Sequence, residues 1–319
     1  MTTTDYVPVL PAPSVSKEPD SYGETAVVLR HYLVSVLLFV GLPANAAESC
    51  GGAGAGVQVL GSSAQARDLV SSSYLIWLDG KARVLVDVGA GSAMNFVNSG
   101  ARLADLDVIL LSQLHVSHAG DLSSLIQLSL ARRRSRPLPL YGPDRSKLMP
   151  STVTFVRTLF DTKRGVYRYL GSLLSPLGKD TYKLQPHDVE IRRRSGPTVY
   201  KNERLMAVPA IVARNPIAML AWRVEAAGKA IVFLTAANSG TGDWQTLARN
   251  ADLLVISPPI DARGRNNDDL APADTAELAE TQHVGKLVLP VISRQDGRAT
   301  NVRYPGVIIF AEPMRCVVP

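Results

Sequence analysis

Leu110-Leu-Ser-Gln-Leu-His-Val-Ser-His-Ala-Gly-Asp-Leu122 is the stretch on which the reading of the chain turns. It closes an apolar, strand-like run, Leu106-Asp-Val-Ile-Leu-Leu111. It opens onto an apolar-periodic segment, Leu122 to Leu130, whose spacing predicts a helix. A strand end that throws histidines and hydroxyls into the next turn is where α/β proteins place chemistry. Here His115 and His118 lie three apart, with Gln113 and Ser117 among them.

Working outward, the N-terminal side has a regular strand grammar. Val57-Gln-Val-Leu-Gly61 reads as a short strand and Ser73-Tyr-Leu-Ile-Trp-Leu78 as a second. Asp79-Gly80 is a two-residue hairpin turn, after which Ala82-Arg-Val-Leu-Val-Asp87 returns as a third strand, broken by Val88-Gly-Ala-Gly91. Met94 to Ala104 suggests a short helix before the Leu106–Leu111 strand. Downstream, Ala131-Arg-Arg-Arg-Ser-Arg136 reads as a basic cap that complements a helix dipole and needs no ligand. Pro137–Pro143 is a short strand and turn. Residues 150–185 read as amphipathic helix, Val153–Phe160, and a variable insert. His187 is placed in a surface turn before a strand at Val189–Ile191.

The second half repeats this grammar. Strands are expected at Leu205–Val212, Met219–Glu225, Lys229–Leu234, Ala251–Ile256, Lys286–Ile292 and Val307–Phe310. Helices are expected from an N-cap at Asp243 and over Pro272–Glu280. Two blocks of strands, each with its own helices, predict an α/β protein built as a four-layer αβ/βα sandwich.

Composition sets the bounds. Charged residues are 19% and hydrophobic ones 46% of 319, a globular balance rather than a disordered one. A net charge of +6 allows an anionic partner without requiring one. No CxxC or Cys/His spacing exists, which excludes a structural thiolate zinc site. Cys50 and Cys316 are compatible either with one disulfide or with two free thiols. Residues 1–27 are Pro-, Ser- and Thr-rich, a disordered or mis-started extension. Residues 28–46 combine Arg30-His31, the apolar run Tyr32–Leu42 and Pro43-Ala-Asn-Ala46, the pattern of a secretory signal peptide and too short for an ordinary span. The expected mature chain is exported, periplasmic or secreted, without a membrane anchor.

The central stretch resembles the H-x-H-x-D-H signature of the metallo-β-lactamase fold. The opening strand–Asp-Gly–strand with Asp87-x-Gly89, Ala119-Gly-Asp-Leu122, Leu247-Ala-Arg-Asn-Ala-Asp-Leu-Leu-Val255 and Lys286-Leu-Val-Leu289 also resemble that family, in its ribonuclease Z-like or arylsulfatase-like branch. The resemblance covers about residues 57–315, within a domain placed at 57–319. It implies the metallo-β-lactamase sandwich, hydrolase ancestry and a dinuclear zinc centre with about seven protein ligands. This chain departs from that scheme. Gln113 stands at the first histidine and Ser117 at the aspartate, while His115 and His118 remain as the candidate metal ligands. Val212-Ala-Arg-Asn-Pro216 has no histidine, Ala237 stands for the bridging aspartate, and Val291 for the last histidine.

Alanine and valine cannot bind zinc, and glutamine is a poor ligand. Without the metal, no water-derived nucleophile forms near neutral pH. The expectation is therefore a non-catalytic paralogue of a hydrolase, with no cofactor, or zinc if any. The alternative is a metal-dependent hydrolase of esters or phosphodiesters on a reduced site, held by His115, His118 and either Gln113 or His187. Other constellations are thin. Ser117 adjoins His118, but no G-x-S-x-G elbow exists, and no phosphate-cradling P-loop occurs. Arg192-Arg-Arg194 reads as a solvated face, and no basic stripe interleaved with aromatics argues for nucleic acid. The partner expected is a small-molecule or protein ligand that the sequence does not identify.

Overall fold

The computed structural model describes residues 50, 52–62, 71–131, 134–190, 197–235, 244–257, 272–290 and 304–319. The chain divides into two compact units, residues 1–44 and 45–319, and every described residue belongs to the second. The extension at 1–27, the leader-like segment at 28–46, Arg192–Arg194, Ala237, Asp243 and Val291 lie outside the described residues.

The first half builds β1 (Ala55–Gly61), β2 (Ser73–Leu78), β3 (Lys81–Val86), β4 (Val108–Leu110), β5 (Leu138–Pro143) and β6 (Leu184–Val189). The second builds β7 (Tyr200–Lys201), β8 (Leu205–Ala213), β9 (Met219–Ala226), β10 (Lys229–Thr235), β11 (Leu253–Ser257), β12 (Lys286–Pro290), β13 (Val307–Ala311) and β14 (Cys316–Val317). Among the described residues these form two seven-stranded sheets, ordered β14-β1-β2-β3-β4-β5-β6 and β13-β12-β11-β10-β9-β8-β7. In each sheet one set of neighbours is antiparallel and the other parallel, the change falling at β3 and at β10.

Period-two alternation assigns the layers. Tyr74, Ile76, Val84, Val86 and Leu110 point into the apolar layer shared with Trp222, Ile231, Phe233 and Val255 of the other sheet. Their neighbours Leu75, Leu85, Ile109 and Leu111 point outward, under the helices. Those helices are α1 (Ser92–Asn98), α2 (Val116–Ala119), α3 (Leu122–Ala131) and α4 (Thr152–Phe160). Leu122, Leu125 and Ile126 of α3 supply the i, i+3, i+4 stripe. On the second sheet α5 (Trp244–Leu247) and α6 (Pro272–Thr281) cover the outer face, where Leu247, Ala279, Val232 and Leu254 share a cluster. The layer order is the expected αβ/βα sandwich.

The hairpin turn forms as read, with Asp79 at φ 49° and Gly80 at φ 75°. Three details differ from the sequence reading. The segment from Met94 to Ala104 is not one helix, because Gly100 turns left-handed at φ 75° and only a 3-10 turn, Leu103–Asp105, follows. His187 lies in strand β6, stacked on Tyr141 with ring centroids 4.7 Å apart, and not in a turn. Nor is Arg134 an exposed helix cap. It is buried, donates to the carbonyls of Leu103, Leu106, Arg136 and Pro137, and lies over the Tyr182 ring. Burial and the neighbouring Arg136 cation lower its pKa to about 10. Its fan of donors ties several loop carbonyls together, so it is a structural cation.

Cys50 and Cys316 are joined as a disulfide, with Cα atoms 5.4 Å apart. The bridge anchors β14 beside β1, where Gln58 pairs with Cys316. It closes a loop of 266 residues, which in the chain-entropy model is worth up to roughly 4–5 kcal/mol. Replacing both cysteines by serine should therefore lower unfolding stability by about 3–5 kcal/mol in urea titration, without changing the β-sheet signature in circular dichroism.

Candidate functional site

The parallel pairing of β3 with β4, Val86 against Leu110, brings both carboxyl ends to one edge. The chain leaves β3 at Asp87 in the left-handed region, φ 60°, which aspartate tolerates better than most residues. The buried Asp87 carboxylate then gathers three pieces of chain. Its Oδ1 accepts the backbone N–H of Ser112 at 2.7 Å, and its Oδ2 lies 2.7 Å from His118 Nδ1. The Ser72 hydroxyl donates to Oδ2 at 3.3 Å. A carboxylate only accepts, so Nδ1 carries the proton and a neutral ring keeps its lone pair on Nε2.

Gly89 lets this edge close. A Cβ there would meet the Ser117 carbonyl at 2.2 Å and the Ser72 carbonyl at 2.8 Å. The D-x-G spacing thus supplies an acceptor and, two residues on, the missing side chain that the close approach needs.

The other sheet meets the same edge. The hydroxyls of Ser72 and Ser257 lie 3.1 Å apart, and Tyr74 Oη is 3.4 Å from Ser257 Oγ. Leu220 N–H donates to the Ser112 carbonyl at 2.8 Å. Burial pushes the Tyr74 phenol up to about 12, and the Asp87 charge adds to the rise against the opposing Ser257 hydrogen bond.

His115 has a different task. It caps α2, its Nδ1 accepting Ser117 N–H at 3.3 Å and lying 3.0 Å from Ser117 Oγ. Ser117, at the aspartate position of the signature, is drawn into this local cap. Gln113 is fully buried, and neither its amide nitrogen nor its oxygen has a hydrogen-bond partner among the described residues. His187 is exposed on β6 and does not join His115 and His118 in any metal-holding group among the described residues.

An imidazole oriented by a carboxylate is the arrangement found behind metal-bound histidines. The donor set around it does not match a dinuclear centre. Among the described residues no group of three or more His, Cys, Asp or Glu could hold a metal ion. The chain has five histidines, and apart from these three only His31 and His283 remain. Asp87 was legible as a turn motif, yet its pairing with His118 was not. The Ser72–Ser257 contact spans 185 residues and leaves no local signal.

With this geometry in view, the likeness to known proteins is informative. The Metallo-beta-lactamase superfamily sequence model matches residues 66–183. This is a metallo-β-lactamase-fold protein. It is 32% identical over 88 residues to a ribonuclease Z of Metallosphaera sedula, a match that spans 28% of this chain and 30% of that protein's length. Human tRNase Z, short form, superposes with a TM-score of 0.60 at 18% identity, covering 82% of this chain and 98% of that one. The metallo-β-lactamase fold protein YhfI from Bacillus subtilis gives 0.59 at 17%, covering 83% and 99%. Zinc-bound PqqB from Methylobacterium extorquens gives 0.57 at 15%, covering 83% and 100%. The solved structures share the fold, and the sequence match over 88 residues is to a ribonuclease Z.

Two outcomes check this edge. Gly89→Ala should cost about 2–3 kcal/mol by urea titration, since the new methyl meets backbone on two sides. A tyrosine whose folded pKa lies above its unfolded one loses stability as pH rises from 10 towards 12. Alkaline unfolding curves should show that loss, on the order of 2 kcal/mol, and Tyr74→Phe should flatten it.

Proposed function

We propose that this chain is an exported metallo-β-lactamase-fold protein that no longer builds the dinuclear zinc centre its family implies, and that it acts as a binding protein rather than a hydrolase. The observation that carries this reading is Gln113. At the position of the first ligand histidine stands a neutral amide, buried and unsatisfied among the described residues. Glutamine is a weak zinc ligand, and each surviving imidazole has a structural task through its Nδ1. His118 holds Asp87, and His115 caps a helix. Export is supported by the Cys50–Cys316 disulfide, since such bridges persist in oxidising compartments. The leader-like sequence before Ala47 supports it too. The ligand expected is a small molecule or a protein.

A second reading keeps hydrolysis of esters or phosphodiesters on a reduced metal site. The Asp87–His118 pair favours it, because the pair presents Nε2 as a ligating histidine would.

Elemental mass spectrometry of the mature protein, purified without chelator, separates the two. The binding-protein reading expects well under one zinc, iron or manganese per chain. Stoichiometric metal would overturn it, and loss of that metal in His115→Ala and His118→Ala would then place the site.

A further inference from the structure

The surface between Arg157 and Asp180 combines charge and apolar exposure. Five cations lie in it, Arg157, Lys163, Arg164, Arg168 and Lys179, against two carboxylates, Asp161 and Asp180. All five cations are exposed, and none makes an ion pair among the described residues. Both carboxylates are engaged by the chain itself. Asp161 Oδ1 accepts the backbone N–H groups of Lys163 and Arg164, each at 2.8 Å, and Asp180 accepts from the Ser172 hydroxyl.

Apolar groups stand out among these cations. Val166 is 67% exposed, Tyr169 65% and Leu177 93%. They sit on an ordered base. Val166 and Tyr167 N–H groups donate to the Thr158 and Leu159 carbonyls of α4, while Phe160, Leu170 and Leu173 are buried beneath. Tyr169 stands edge-on to Tyr167, with centroids 6.4 Å apart. Lys163-Arg-Gly-Val-Tyr-Arg-Tyr169 is a basic stripe interleaved with aromatics, which corrects the sequence reading that found no such stripe.

We propose that this knob is a peripheral membrane-docking surface whose occupant is an anionic phospholipid bilayer. Unpaired cations are drawn to acidic headgroups, and protruding valine, leucine and tyrosine enter the headgroup–acyl boundary. Charge complementarity alone would also admit a nucleic acid, on which Tyr169 could stack. Stacking on a base would give a use to Tyr169 alone, whereas exposed valine and leucine, as at Val166 and Leu177, gain from an apolar boundary. Among the described residues no helix is long and apolar enough to cross a membrane.

Sedimentation of the full chain with vesicles tests it. Phosphatidylglycerol–phosphatidylcholine vesicles should capture the protein at low salt, pure phosphatidylcholine should not, and about 0.5 M salt should release it. The double variant Lys163→Glu/Arg164→Glu should lower partitioning roughly 30-fold or more, and Leu177→Ser roughly fivefold. All three positions are exposed, and far-UV circular dichroism compares the folds. Failure to bind anionic vesicles at low salt would overturn the proposal, and that arm needs no variant. So would unchanged binding by the folded charge-reversal protein. Preferential binding of single-stranded RNA, insensitive to Leu177→Ser, would assign the cations to nucleic acid and also sink it.

Discussion

One buried carboxylate holds the functional edge together. Asp87 accepts from the amide after β4, from the imidazole on α2 and from the hydroxyl before β2. Taking such a charge out of water costs several kcal/mol, and only close, charge-assisted hydrogen bonds offset it. The geometry is correspondingly restrictive. Asp87 adopts a left-handed backbone, and Gly89 lies where no Cβ fits. Of the family pattern kept at this edge, His118 and Gly89 serve Asp87 directly, while His115 caps α2.

That dependence changes how the histidines are to be understood. A histidine left over from a metal signature invites a metal. Yet His118 has a structural task of its own, because removing it takes from a buried carboxylate one of its three hydrogen bonds, at a cost of about 1.5–3 kcal/mol. His115 is likewise accounted for by the helix it caps. Gln113 is the contrast. It has no structural partner among the described residues, so neither capping nor charge pairing explains its presence.

The fold was legible because the sheets are made of strongly alternating segments. Ser73–Leu78 with its Asp-Gly turn could hardly be anything but the first arm of a hairpin. What was illegible follows from range and length. β7 and β14 are two residues each, too short for any periodicity. β14 is fixed instead by a partner strand and a disulfide across 266 residues. Arg134 misled because a basic run after a helix has a sufficient local explanation in the dipole. Burial beneath the Leu103–Leu106 carbonyls is visible only when the chain is folded. His187 misled for the same reason: Gln185-Pro-His-Asp188 has turn composition, but its place beside β5 makes it a strand.

The two sheets also explain why the edge draws on distant sequence. In each, antiparallel neighbours lead to a fourth strand, β3 or β10, after which the pairing becomes parallel. Ser112, just beyond β4, and Ser257, at the end of β11, therefore occupy corresponding places in the two halves. Each is drawn to the other half, Ser112 through the Leu220 amide and Ser257 through the Ser72 hydroxyl. Carboxyl ends of parallel strands are where α/β sheets expose backbone and side-chain groups that their own ladder leaves unpaired. Bringing two such ends together lets each half complete the other's hydrogen bonding. The seam is thus held by hydroxyls and amides of the protein itself.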